Sequence, residues 1–140
     1  MTEDGPRRVY SGSPYETSIG FCRALRIGRR ILVGGTAPIW PDGSCDPDPE
    51  VQAQRCIEII ASALRELGAS LDDVVRTRLF LTAVDHLEPV ARAHRVAFGA
   101  IEPVSTAVVV SALLDPRWCV EIEAEAEAEP PAVVSPSGHP

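Results

Sequence analysis

Lysine is absent from this 140-residue chain, and all 13 basic residues are arginine. No Schiff base with a carbonyl substrate, no pyridoxal-phosphate linkage and no phosphate-loop lysine can therefore form. Arginine stays protonated, so it orients anions but shuttles protons poorly. Cysteine and histidine are sparse and unpaired. Cys22, Cys45, Cys56 and Cys119 make no CxxC motif, and His86, His94 and His139 make no HxxxH or other ligand pair. We expect no metal site and no cofactor, with the thiols reduced in a cytoplasm. No hydrophobic run reaches membrane-spanning length, and MTEDGPRRVY lacks the apolar core of a secretory leader, so no membrane partner is expected. Concentrated positive charge is missing too. The net charge is −7, and the densest basic clusters are only Arg7-Arg8 and Arg29-Arg30, which argues against a nucleic-acid partner.

What is present fits a globular domain. Hydrophobic residues make up 45% and charged residues 24%, and the length suits one domain over 1–129 with a core of its own. After Glu129 the Pro/Ser-rich PPAVVSPSGHP reads as a disordered tail over 130–140. RALRIGRRILVGG reads as two short strands around a turn at Gly28-Arg29-Arg30. Ala24 and Arg26 share one side, and Gly34-Gly35 ends the second strand where the backbone bends or something approaches closely. From Glu50 to Leu67 the period becomes helical through Ala53, Cys56, Ile57, Ile60, Leu64 and Leu67, and Gly68 supplies the stop.

VVRTRLFLT follows as a strand, with Val75, Thr77, Leu79 and Leu81 on one face and Val74, Arg76, Arg78 and Phe80 on the other. A second helix is expected from Asp85, with Glu88 in a capping-box relation and Leu87, Val90, Ala91, His94 and Phe98 as its buried stripe. Two more strands, Val104–Ser111 and Trp118–Glu127, complete the order β-β-β-α-β-α-β-β, an α+β fold with one mixed sheet. Two amphipathic helices cover only one face of such a sheet. Yet neither face of Val104–Ser111 carries charge, so another copy of the chain is expected to dry the second face. Burying ~1000 Å² of apolar surface per copy is worth roughly 25 kcal/mol before association costs.

Several segments together resemble the Rid family, also called YjgF/YER057c/UK114, whose members include enamine and imine deaminases. They are VGGTAP at 33–38, GASLDDVVRTRLFLT at 68–82, AHRVAFG at 93–99 and VEIEAEA at 120–126. The resemblance implies a chorismate-mutase-like fold, a homotrimer, and three small-molecule clefts between neighbouring copies. In deaminating members an arginine grips the carboxylate of a 2-imino acid, and a glutamate positions or activates the water that releases ammonia. By position the glutamate is Glu121, but the arginine is replaced by Ser105. The usual cleft tyrosine becomes Phe21, a serine becomes Gly34, and an asparagine on the second helix becomes Ala91.

A serine hydroxyl cannot balance a substrate carboxylate beside Glu121, whereas an arginine–carboxylate contact is worth about 1.5–3 kcal/mol. The expected cleft is therefore lined by Phe21, Gly34, Gly35, Ala91, Ser105 and Ala107, with Glu121 as the catalytic acid or base, and suits a neutral or cationic ligand. Glu123, Glu125 and Glu127 read as a solvated face and edge protection. Arg23 shares strand parity with Phe21 and is the candidate substitute cation, with Arg78 a weaker one. Ser105 has no histidine placed by motif to activate it, Thr106 reads as core, and His94 reads as helix packing. Two functions remain open on the sequence: hydrolysis of an imine, enamine or related C=N compound, and non-catalytic small-molecule binding.

Overall fold

The computed structural model describes residues 5–130, so the tail expected over 130–140 falls outside the described residues from 131 onward. The strands are β1 (Arg7–Val9), β2 (Ala24–Ile27), β3 (Arg30–Thr36), β4 (Val74–Leu81), β5 (Val104–Val109) and β6 (Val120–Glu127), and the helices α1 (Pro49–Glu66) and α2 (Leu87–Phe98). The order is the one the sequence pattern predicts. All six strands form one sheet in the spatial order β1-β2-β3-β6-β4-β5. Every pairing is antiparallel except β4 with β5, which α2 connects.

Alternation sets the layers. On β6, Val120, Ile122, Ala124 and Ala126 are buried, while Glu121, Glu123 and Glu125 face the opposite, half-exposed side. Against the buried side pack Ala53, Cys56, Ile57, Ile60, Ala63 and Leu64 of α1 and Val90, Ala93 and Phe98 of α2. Asp48 caps α1 by accepting from Glu50 N at 2.9 Å, with Pro49 in the first turn. Gly68 ends the helix at φ +80°. Arg26 lies on the helix side of β2 and is 4% exposed. It donates to Gly28 O at 2.8 Å, to Leu67 O at the end of α1 at 2.7 Å and to Ala128 O at 2.8 Å, so the buried charge is fully engaged.

Four expectations change. A register shift between Val74 and Arg76 flips the start of β4, so Val74 is buried and Val75 exposed, the reverse of simple alternation. The chain enters α2 through a 3₁₀ turn at Val84–His86, and no side chain caps either start. Asp85 sits inside that turn and does not flank it, so it cannot play the N-cap of a box with Glu88. Leu87 is 40% exposed, and Ala93 takes the expected place in the buried stripe. The glutamates of β6 protect no edge, because β6 lies between β3 and β4. They pair instead: Arg78 donates to Glu123 at 2.8 Å and Glu125 at 3.3 Å, and Arg30 meets Glu125 at 3.5 Å.

Candidate functional site

The pairing of β3 with β6 skips. Val33 opposes Ala124 and Thr36 opposes Ile122, so Gly34 and Gly35 together face only Glu123. The bulge makes room for two charged side chains. A Cβ on Gly34 would lie 2.9 Å from Arg23 Nη2, and one on Gly35 would lie 2.4 Å from Glu121 Oε1. The glycines do not end β3, which runs on to Thr36; they bulge it and cradle charged groups.

Arg23 precedes β2 and is buried to 7% exposure. It donates through Nη2 to Gly35 O, its Cζ stands 5.9 Å from the centre of the Phe21 ring, and its Nε has no partner among the described residues. Burial lowers its pKa, and the charges of Glu16 and Glu121 oppose that shift. Glu16 is itself buried and accepts from Ser11 N at 3.0 Å and Gly12 N at 3.3 Å. Burial raises the Glu121 pKa; Arg23 lowers it less, and Glu123 adds a smaller rise. Phe21, Arg23, Gly34, Gly35 and Glu121 therefore lie close together, around a half-buried acid whose burial favours keeping its proton.

Ser105 and Ala107 do not join them within one chain. In the parallel ladder Ser105 lies beside Thr77 and Ala107 beside Leu79, both helix-side residues of β4. Glu121 lies beside Phe80 on the other face. Ala91 stands on α2 one turn before His94, on the same side as Ser105. The candidate residues thus split into two groups on opposite faces, and one copy cannot close a cleft from both.

Three further expectations shift at this edge. Thr106 is exposed like all of β5, and the threonine buried at this edge is Thr77 on β4. His94 does more than pack: its Nε2 lies 2.8 Å from Thr77 Oγ1, which donates to Ser105 Oγ at 2.8 Å. Arg78 is committed to Glu123 and Glu125, which removes it as a substitute anchor. Sequence reading also missed Tyr15 and Thr36, while Trp118 and Trp40 were expected to pack or rim a cleft. These line a groove of about 700 Å³ that reaches Arg23, with Tyr15 edge-on to Trp118 at 6.4 Å. Among the described residues, no group of three or more His, Cys, Asp or Glu side chains is placed to hold a metal ion. Burial raises the Cys119 thiol pKa, so it offers no ready thiolate. No helix among the described residues is long and apolar enough to cross a membrane.

Comparison with known proteins is consistent along nearly the whole chain. The family model described as endoribonuclease L-PSP matches residues 13–128. An uncharacterized protein of Streptomyces coelicolor is 38% identical over 127 residues, 90% of this chain and 95% of that protein. A RutC family protein of Pyrococcus abyssi is 33% identical over 115 residues, 81% of this chain and 84% of that one. Among solved structures, a Mycobacterium tuberculosis protein described as a member of the highly conserved YjgF/YER057c/UK114 family matches with a TM-score of 0.82 and 39% identity, over 89% of this chain and 100% of that one.

Proposed function

Because the chain belongs to the endoribonuclease L-PSP family, also named YjgF/YER057c/UK114 or Rid, we propose that it acts as a cytoplasmic homotrimer with small-molecule clefts between copies, each hydrolysing a neutral imine, enamine or related C=N compound. The carrying observation is the split site. Glu121 with Arg23 and the glycine bulge occupies one face, Ser105 with Ala107 and Ala91 the other, so a neighbouring copy is what brings them together. The four free cysteines fit a reducing compartment.

The charge arrangement supports a neutral substrate. The charges of Glu16 and Glu121 act on Arg23, which also donates to Gly35 O, so a substrate anion there would meet two acids as well as the guanidinium. Ser105 offers no replacement cation. In the reaction, Glu121 takes one proton from water as the water oxygen bonds to the C=N carbon, and returns that proton to the nitrogen, giving a carbinolamine. Glu121 then takes the hydroxyl proton and passes it to the nitrogen as the C–N bond breaks and the C=O bond forms, leaving a carbonyl and an amine or ammonia. An enamine enters after tautomerising to the imine. RNA cleavage gains no support from the open face, where Arg30 and Arg78 pair with Glu123 and Glu125.

The test follows ammonia release from imines generated in place, one series neutral and one bearing a 2-carboxylate. We expect turnover of the neutral series, loss of turnover in Glu121→Gln, and gain of the carboxylate series in Ser105→Arg. Binding without turnover in any series would make the protein a non-catalytic binding trimer instead.

A further inference from the structure

The edge strand carries a feature that the split site does not explain. Thr77 is fully buried, and its hydroxyl has two partners, His94 Nε2 and Ser105 Oγ, each at 2.8 Å. Three elements build this line: β4 supplies Thr77, α2 supplies His94 and β5 supplies Ser105, which is exposed at the outer end. The Phe98 ring packs against the His94 ring, tilted by 51° with centroids 4.8 Å apart.

Hydroxyl groups both donate and accept, so the line has two satisfied arrangements. With His94 Nε2 protonated, it donates to Thr77, Thr77 donates to Ser105, and Ser105 presents its hydrogen outward. With Nε2 bare, Ser105 donates to Thr77, Thr77 donates to His94, and Ser105 presents a lone pair outward. No charged side chain among the described residues bears on His94; burial alone lowers its pKa. The ring is therefore neutral at rest and able to accept a proton transiently.

We propose that Ser105, Thr77 and His94 form a proton relay whose outer end, Ser105, binds the N–H or O–H of a neutral ligand and passes its proton inward to His94. Three bonds form and three break in one transfer. The ligand gives its N–H or O–H proton to Ser105 Oγ, Ser105 gives its own to Thr77 Oγ1, and Thr77 gives its own to His94 Nε2. The imidazolium returns the proton along the same line when a leaving nitrogen needs it. Ser105 is then a second catalytic residue in addition to Glu121, and Thr77 and His94 are positioning residues that act through it. The ligand class rests on the cleft reading above, while the relay itself is a property of one chain.

The test uses the full-length protein carrying ¹⁵N-labelled histidine. The His94 signal is identified by its loss in His94→Phe. Ser105→Ala, at an exposed position two groups away, should shift the His94 Nε2 resonance, while Ala107→Ser at the next outward position of the same face should not. Thr77→Val should shift it further and lower kcat on the neutral imine series about 100-fold with KM little changed. An unchanged His94 resonance in Ser105→Ala overturns the relay, whatever the turnover. A shifted resonance without ammonia release in wild type keeps the relay and overturns the hydrolase.

Discussion

Glu121 occupies the space that a side chain at Gly35 would need: a Cβ there would lie 2.4 Å from Oε1. The carboxylate is held against bare backbone. Gly35→Ala should push Glu121 aside at a stability cost of about 1 kcal/mol, because the displaced atom ends a flexible side chain. Ammonia release should fall at least tenfold. Gly34→Ala should act through Arg23 in the same way, since that Cβ would meet Nη2 at 2.9 Å. Thermal unfolding and turnover measured together check both variants.

Buried charge at Glu121 has a pH signature. Its folded pKa lies above the ordinary 4.5, chiefly through burial, so the folded chain holds more protons than the unfolded one above that value. The stability it contributes is present at low pH and is lost as pH rises through the folded pKa. Glu121→Gln has no such loss, so its Tm relative to wild type should climb as pH rises from the ordinary 4.5 through the folded pKa of Glu121. His94 runs the opposite way: its pKa is lowered, so stability is lost as pH falls below the ordinary 6.5. The difference between Glu121→Gln and wild type cancels that second contribution.

Arg26 closes the end of α1 and ties β2 to Ala128. Arg26→Met keeps the stem but leaves the carbonyls of Gly28, Leu67 and Ala128 without this donor. A loss of about 3 kcal/mol is expected, read as a lower urea midpoint with an unchanged slope.

Sharing of the cleft can be tested by mixing. Glu121→Gln removes the acid from one wall, and Ser105→Trp blocks the other. Each alone should be inactive. Unfolded together in equal amounts and refolded, they should regain about a quarter of wild-type turnover, because that share of clefts draws both intact walls from different copies. Val108→Asp, on the exposed side of β5 beside Phe80, should give a monomer by light scattering and no turnover.

Alternation made much of this legible. The pattern of 120–127 put glutamates on one side and Val120, Ile122, Ala124 and Ala126 on the other, and the helical stripe of α1 gave its buried face directly. What alternation could not show are its interruptions. The bulges at Gly34–Gly35 and near Val75 change which side chain faces where without changing composition. The bond from Thr77 to Ser105 spans 28 positions in sequence and depends on the register of the parallel β4–β5 pair, which no local pattern encodes. The central place of β6 was hidden for the same reason, because strand order is set by long-range pairing.

That placement has a consequence for biosynthesis. Among the described residues, the last strand in chain order is the one that joins the sheet's two halves, β3 on one flank and β4 on the other. A nascent chain still on the ribosome holds two unjoined pieces and a gap where β6 will enter. The sheet therefore cannot close until β6 has been made, and a chain stopped before Val120 lacks the strand that joins its two halves.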